Sequence, residues 1–168
     1  IRDRYIETPA GMLNSIGLQN VGIEQFLAEK LPLARKLGTK VIVSIGGKTE
    51  EEFGELTERL SEVEGVAALE VNISCPNVKA GGMAFGVSPK AAAEVTKLVK
   101  AKTKLPVFPK LTPNVTEIGE IAKACEEAGA DAISLINTFS GMAIDIHGRR
   151  PGGIQNAALG RADADNAQ

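Results

Sequence analysis

The chain has 168 residues, 43% apolar and 24% charged, with a formal net charge of −2, the balance of one globular domain with room for a sizeable core. No basic run offers a surface for nucleic acid, and no apolar stretch approaches the roughly 20 residues of a membrane helix, so neither partner is expected. Ile1-Arg2-Asp3-Arg4 opens a polar segment with no apolar core behind it, which predicts no signal peptide and a cytoplasmic protein.

No strand-like run precedes the first loop, Met12 to Asn20. Ile23–Leu37 then reads as a helix that Pro32 bends or splits. Lys40–Ile45 reads as a strand. Thr49-Glu50-Glu51-Glu52 is a capping box, in which Glu52 reaches back to the cap's own N–H, and it opens a helix from about Glu50 to Val63. The next strand, Val66–Ile73, runs into Cys75, flanked by Asn72 and Asn77, and cannot continue through Pro76, Gly81 and Gly82. Ser88-Pro89 places a cap before a proline at the first helical position, predicting a helix over Lys90–Lys102. Pro106–Leu111 is a third strand. A helix over about Thr116–Ala128 carries Ile118, Ile121, Ala122 and Cys125 on one face and ends at Gly129, a residue suited to a left-handed cap. Ala132–Asn137 is the fourth strand. From Gly152 onward almost no large apolar residue remains, so residues 152–168 are expected to pack poorly or be disordered beside a domain of residues 1–151.

Helices alternating with apolar strands predict an α/β fold with parallel strands, buried on both faces and joined by right-handed crossovers. An open doubly wound sheet and a (β/α)8 barrel both fit. Each strand ends in polar or reactive residues: Ser44, then Asn72 with Cys75 and Asn77, then Lys110, then Asn137 with Thr138. In a parallel barrel those ends share one rim and one pocket. An asparagine there is commonly a turn former, whereas a lysine on an apolar strand demands an anion or acceptor, which marks Lys110 as functional. The two cysteines stand 50 positions apart with no CxxC pair and one histidine, so no metal site is expected. Cys125 reads as a small core residue, and Cys75 as the reactive thiol. His147, in a Gly- and Arg-rich loop, reads as a solvated side chain, and Gly81-Gly82 as a flexible loop that could close over the pocket.

The segment Asn72-Ile73-Ser74-Cys75-Pro76-Asn77-Val78-Lys79-Ala80-Gly81-Gly82-Met83-Ala84-Phe85-Gly86 resembles the catalytic loop of dihydroorotate dehydrogenases, in particular the bacterial NAD-linked, two-subunit class. Met12-Leu13-Asn14-Ser15-Ile16-Gly17-Leu18-Gln19-Asn20, Lys110-Leu111-Thr112-Pro113-Asn114 and Ile136-Asn137-Thr138 resemble further motifs of that family in the same order, together covering about residues 8–151. The resemblance implies part of a (β/α)8 TIM barrel, about four of its eight β/α units. It implies an FMN enzyme of pyrimidine (UMP) biosynthesis that oxidises dihydroorotate to orotate, with Cys75 taking the C5 proton while hydride leaves C6 for the flavin. By the same carry-over, Asn14, Ser15, Ile16, Gly17, Leu18, Asn72, Asn77, Asn137 and Thr138 hold the substrate. Ser44, Asn72, Lys110 and Ile136 contact FMN, with Lys110 at the N1/O2 edge; many relatives have asparagine at the position of Ser44. The implied partner is an electron-transfer subunit bearing FAD and an iron–sulfur cluster, with NAD as final acceptor, and the intact parent is expected to be an oligomer. The resemblance also places two strands before Ile1 and the FMN-phosphate loops after Arg150. Two rival readings are a dihydropyrimidine dehydrogenase-like enzyme, whose loop usually continues Cys-Pro-His where Asn77 stands here, and an inactive piece that needs a partner chain.

Overall fold

The computed structural model describes residues 5–9, 11–14, 16–74, 79–80, 83–142, 144–145 and 150–151. The chain divides into two compact units, one of residues 21–136 and one drawn from 1–20 and 137–168. The tail expected from Gly152 onward lies outside the described residues.

In the unit drawn from the two ends, β1 (Tyr5–Thr8) and β2 (Gly11–Asn14) pair antiparallel, Tyr5 opposite Asn14 and Thr8 opposite Gly11. The sequence reading placed no strand ahead of the first loop, and this hairpin corrects it. Its strands are four residues long and leave Tyr5 and Ile6 exposed, so no buried face writes an apolar alternation into the sequence.

The larger unit begins with α1 (Gly22–Gln25), a π-helical turn (Phe26–Lys30) and α2 (Leu31–Arg35), where one helix over Ile23–Leu37 was expected. Pro32 supplies the reason. It has no N–H to return to the Ala28 carbonyl, and the turn ahead of it widens so that the Leu31 N–H donates to the Phe26 carbonyl.

Next come β3 (Val41–Ile45), α3 (Glu50–Ser61) and β4 (Val66–Asn72). The Thr49 hydroxyl accepts from the Glu52 N–H at 3.3 Å, as a capping box requires. The reciprocal bond is displaced by one residue, because the Glu52 carboxylate accepts from the Lys48 N–H at 2.6 Å instead of the cap's own. Two short antiparallel strands, β5 (Lys79–Ala80) and β6 (Met83–Ala84), precede a 3-10 turn at Phe85–Val87. Then follow α4 (Pro89–Lys102), β7 (Val107–Lys110) and α5 (Ile118–Glu127). The Ser88 hydroxyl caps α4 by accepting from the Ala91 N–H, while α5 starts later than Thr116 because Glu117 is its cap. Gly129 ends α5 at φ +99°, where the Ala130 N–H closes back on the Cys125 carbonyl at 3.0 Å. Short pairs β8 (Ile144–Asp145) and β9 (Arg150–Pro151) complete the described elements.

β3, β4 and β7 form one parallel sheet in that order. Its strands carry one buried face, not two. Val43, Ile45, Leu69, Val71, Ile73, Val107 and Leu111 pack against Phe53 and Leu60 of α3, Val95 and Val99 of α4, and Ile121 and Cys125 of α5. Each such side chain removed from water contributes about 1.5–3 kcal/mol before chain entropy is counted. Cys125 takes the core position expected of it, and burial pushes its thiol above the ordinary range. The alternate residues, among them Ser44, Glu70, Asn72 and Lys110, turn to the other face, and none of these is fully buried.

The expected fourth strand, Ala132–Asn137, runs parallel beside β7 but forms a single bridge, Lys110 opposite Ser134. Its bonds are Ser134 N–H to the Pro109 carbonyl at 2.9 Å and Leu111 N–H to the Ser134 carbonyl at 3.0 Å. The carbonyl of Pro109 points at this segment, and the missing N–H of the same residue would have pointed there too, so the ladder cannot extend toward Ala132. Asp131 substitutes at the far end, its carboxylate accepting from the Val107 N–H at 2.7 Å and from Lys100 at 2.8 Å.

Candidate active site

The strands deliver a compact polar patch on the face away from the helices. Ser44 lies opposite Glu70 across the β3/β4 ladder, and Asn72 lies opposite Lys110 across β4/β7, with Ser134 next in line. At the centre stands Glu70. Its carboxylate accepts from the Ser44 hydroxyl at 2.9 Å, the Ser134 hydroxyl at 2.8 Å and the Lys110 ammonium at 3.4 Å. Burial, the largest single influence, pushes the Glu70 carboxyl up, but the hydroxyls of Ser134 and Ser44 and the charge of Lys110 together hold it below the usual carboxylate range. The acceptor that a half-buried Lys110 requires is therefore within the protein.

Asn72 closes the strand. Its side-chain carbonyl accepts from the Ser74 N–H at 3.3 Å and the Ser74 hydroxyl at 2.5 Å, a turn that ends β4 immediately before Cys75. The chain returns to the same point at Phe85 and Gly86. Phe85 is fully buried, edge-to-face on Phe53 with ring centroids 5.9 Å apart, and a Cβ on Gly86 would stand 2.6 Å from the Ile73 carbonyl oxygen. Gly86 is thus packed directly against Ile73 and Ser74 at the end of β4.

The family model described as dihydroorotate dehydrogenase matches residues 2–160. The chain belongs to the dihydroorotate dehydrogenase family. Among its similar relatives is the dihydroorotate dehydrogenase B (NAD(+)) catalytic subunit of Desulforamulus reducens, 58% identical over 162 residues that cover 93% of this chain and 53% of the relative. Proteins of the same name from Geotalea uraniireducens and Geobacter sulfurreducens are 57% and 55% identical over the same shares. The chain spans about half the length of the curated relatives it matches.

Of the residues that the dihydroorotate dehydrogenase resemblance singled out, Ser44, Asn72 and Lys110 come together on the open sheet face. Ile136 follows Ser134 in the same unit and is partly exposed. Asn14, Ile16, Gly17 and Leu18 belong to the other unit, where the Asn14 side-chain carbonyl accepts from the Ile16 N–H at 3.5 Å. Asn137 and Thr138 belong to it as well, the Asn137 side-chain carbonyl accepting from the Thr138 N–H at 2.8 Å. Ser15, Cys75, Asn77, Gly81, Gly82 and His147 lie outside the described residues. The sequence reading missed Glu70 and Ser134. A carboxylate two positions before Asn72, on a strand of alanines, valines and leucine, was the available signal. Among the described residues no cluster of three or more His, Cys, Asp or Glu side chains could hold a metal, and no helix is long and apolar enough to cross a membrane.

Proposed function

We propose that this chain carries the base and much of the ring-binding face of an FMN-dependent enzyme that oxidises dihydroorotate to orotate in pyrimidine biosynthesis, built as a (β/α)8 barrel. The observation that supports this most is the placing of Ser44, Asn72 and Lys110 on one open face of a parallel sheet, toward the C-terminal ends of the strands, in a chain of this family. The donor set fits a flavin ring. A cation, an amide and a hydroxyl, with exposed Ile42 beside them on β3, suit a planar group that has an apolar body and an electron-rich imide edge.

Bound FMN supplies the hydride acceptor. Cys75 is the base, removing the proton from C5 of the ring as the C5–C6 double bond forms. A free thiol titrates at about 8.5 and is only a few per cent ionised at neutral pH, so turnover rises with pH toward that value. Asn72 and Asn77, with Asn14 to Leu18, Asn137 and Thr138, orient the ring and carboxylate. Lys110, Ser44 and Ile136 would hold the flavin. The name of the relatives, a catalytic subunit of an NAD(+) enzyme, supports a second, electron-transfer subunit; that this subunit bears FAD and an iron–sulfur cluster is part of the proposal.

The test is the visible spectrum of the purified chain with FMN, followed anaerobically as dihydroorotate is added. The expected result is bleaching of the bound flavin, slowed about 10²–10⁴-fold in Cys75→Ala. Undiminished bleaching in that variant removes Cys75 as base, and absence of any bound flavin removes the reading for this chain.

A further inference from the structure

Glu70 stands at the centre of the open face as the shared partner of Ser44, Lys110 and Ser134, and the proposed reaction gives it no task. A carboxylate there is costly to desolvate, and an aliphatic residue would fill the same place without that penalty. Its three partners come from three different segments, β3, β7 and the Ser134 segment, on both sides of β4. The two hydroxyls divide the carboxylate between them, Ser44 on Oε1 and Ser134 on Oε2, so its plane is held from both sides. Lys110 bonds the oxygen on the Ser44 side. A lysine ammonium at the end of a flexible four-carbon stem samples many rotamers, and an acceptor fixed in this way selects those that reach from β7 to the Glu70 carboxylate on β4.

We propose that Glu70 is a positioning residue: clamped by Ser44 and Ser134, it tethers the Lys110 ammonium at the centre of the open face and offsets its charge, setting how much positive charge the face offers to the electron-rich edge of a bound flavin. The tether stands on the geometry alone, and its consequence for flavin rests on the function proposed above. Each has its own readout.

For the tether, the full chain without flavin is acylated with limiting acetic anhydride and the labelling of each lysine is read by peptide mass. Lys123, exposed on α5, serves as internal reference. Loss of a partly solvated ion pair is expected to raise Lys110 labelling about two- to fivefold in Glu70→Gln, with a smaller rise in Glu70→Asp, which keeps the charge on a shorter arm. Unchanged Lys110 labelling in Glu70→Gln overturns the proposal. Should that variant not melt cooperatively, the Ser44→Ala/Ser134→Ala pair carries the same test, with the same rise expected and the same null result decisive against it.

For the charge, the reduction potential of bound FMN is measured across a double-mutant cycle. Glu70→Gln is expected to raise the potential, Lys110→Met to lower it, and Glu70→Gln to raise it less in the Lys110→Met background, where only the carboxylate's own field is lost. An equal upward shift from Glu70→Gln with or without Lys110 shows that Glu70 acts on its own and overturns the coupling. If no variant binds FMN, the flavin reading and this second half fall together, while the acylation result still decides the tether.

Discussion

The two faces of the β3-β4-β7 sheet are written by the same strands in alternate residues, yet they obey opposite rules. On the helix side, Leu69, Val71, Ile73 and Val107 are fully buried and hold the unit together by displaced water. On the open side, Ser44, Lys110 and Ser134 meet on Glu70 by hydrogen bonds and a single ion pair, at a net worth of about 1 kcal/mol each. Stability and chemistry are thus separated across one backbone, about a side chain's length apart. Substitutions on the first face should be read in melting curves, and substitutions on the second in ligand affinity.

The sharpest way to break that division is to empty the covered face. Phe53→Ala removes a fully buried ring that packs edge-to-face on Phe85 and should cost about 3–5 kcal/mol, seen as a large fall in the urea midpoint. Gly86→Ala drives a methyl against the Ile73 carbonyl and should cost about 1–3 kcal/mol; because that contact lies at the end of β4 beside Asn72, it is the one core change expected also to weaken substrate binding. Lys110→Met tests the other face. Stability should change by less than about 1 kcal/mol while FMN affinity falls about tenfold, measured by flavin fluorescence beside a thermal melt. The smallest effect is acid sensitivity. Glu70 is held below its ordinary value of 4.5, so its ionised form stabilises the fold; that contribution is complete above about pH 4.5 and is lost as pH falls through the lower folded value. Glu70→Gln should flatten the fall in melting temperature as the pH is taken below about 4.5.

Much of the framework was legible because its signals are local. Thr49, Ser88-Pro89 and Gly129 mark helix ends with bonds that span three to five residues, and each stands at or beside the end it predicted. The apolar runs that became β3, β4 and β7 were equally plain, and Ser44, Asn72 and Lys110 could be singled out by their place at strand ends. The burial of these strands on both faces was misread because an apolar run with a few polar residues looks continuous until pairing shows which residues share a side. Pro109 was visible, but that it would break the ladder to Ala132 depended on which neighbour its missing N–H faced.

The sequence by itself determined α3 and α4 with their caps Thr49 and Ser88, the end of α5 at Gly129, the parallel alternation and the family, because these rest on short-range patterns and residue identities. Only the tertiary structure decided that Glu70 is the hub of the open face. Its partners Ser44, Lys110 and Ser134 lie 26, 40 and 64 positions away, and only strand register brings side chains so distant in the chain within hydrogen-bonding reach.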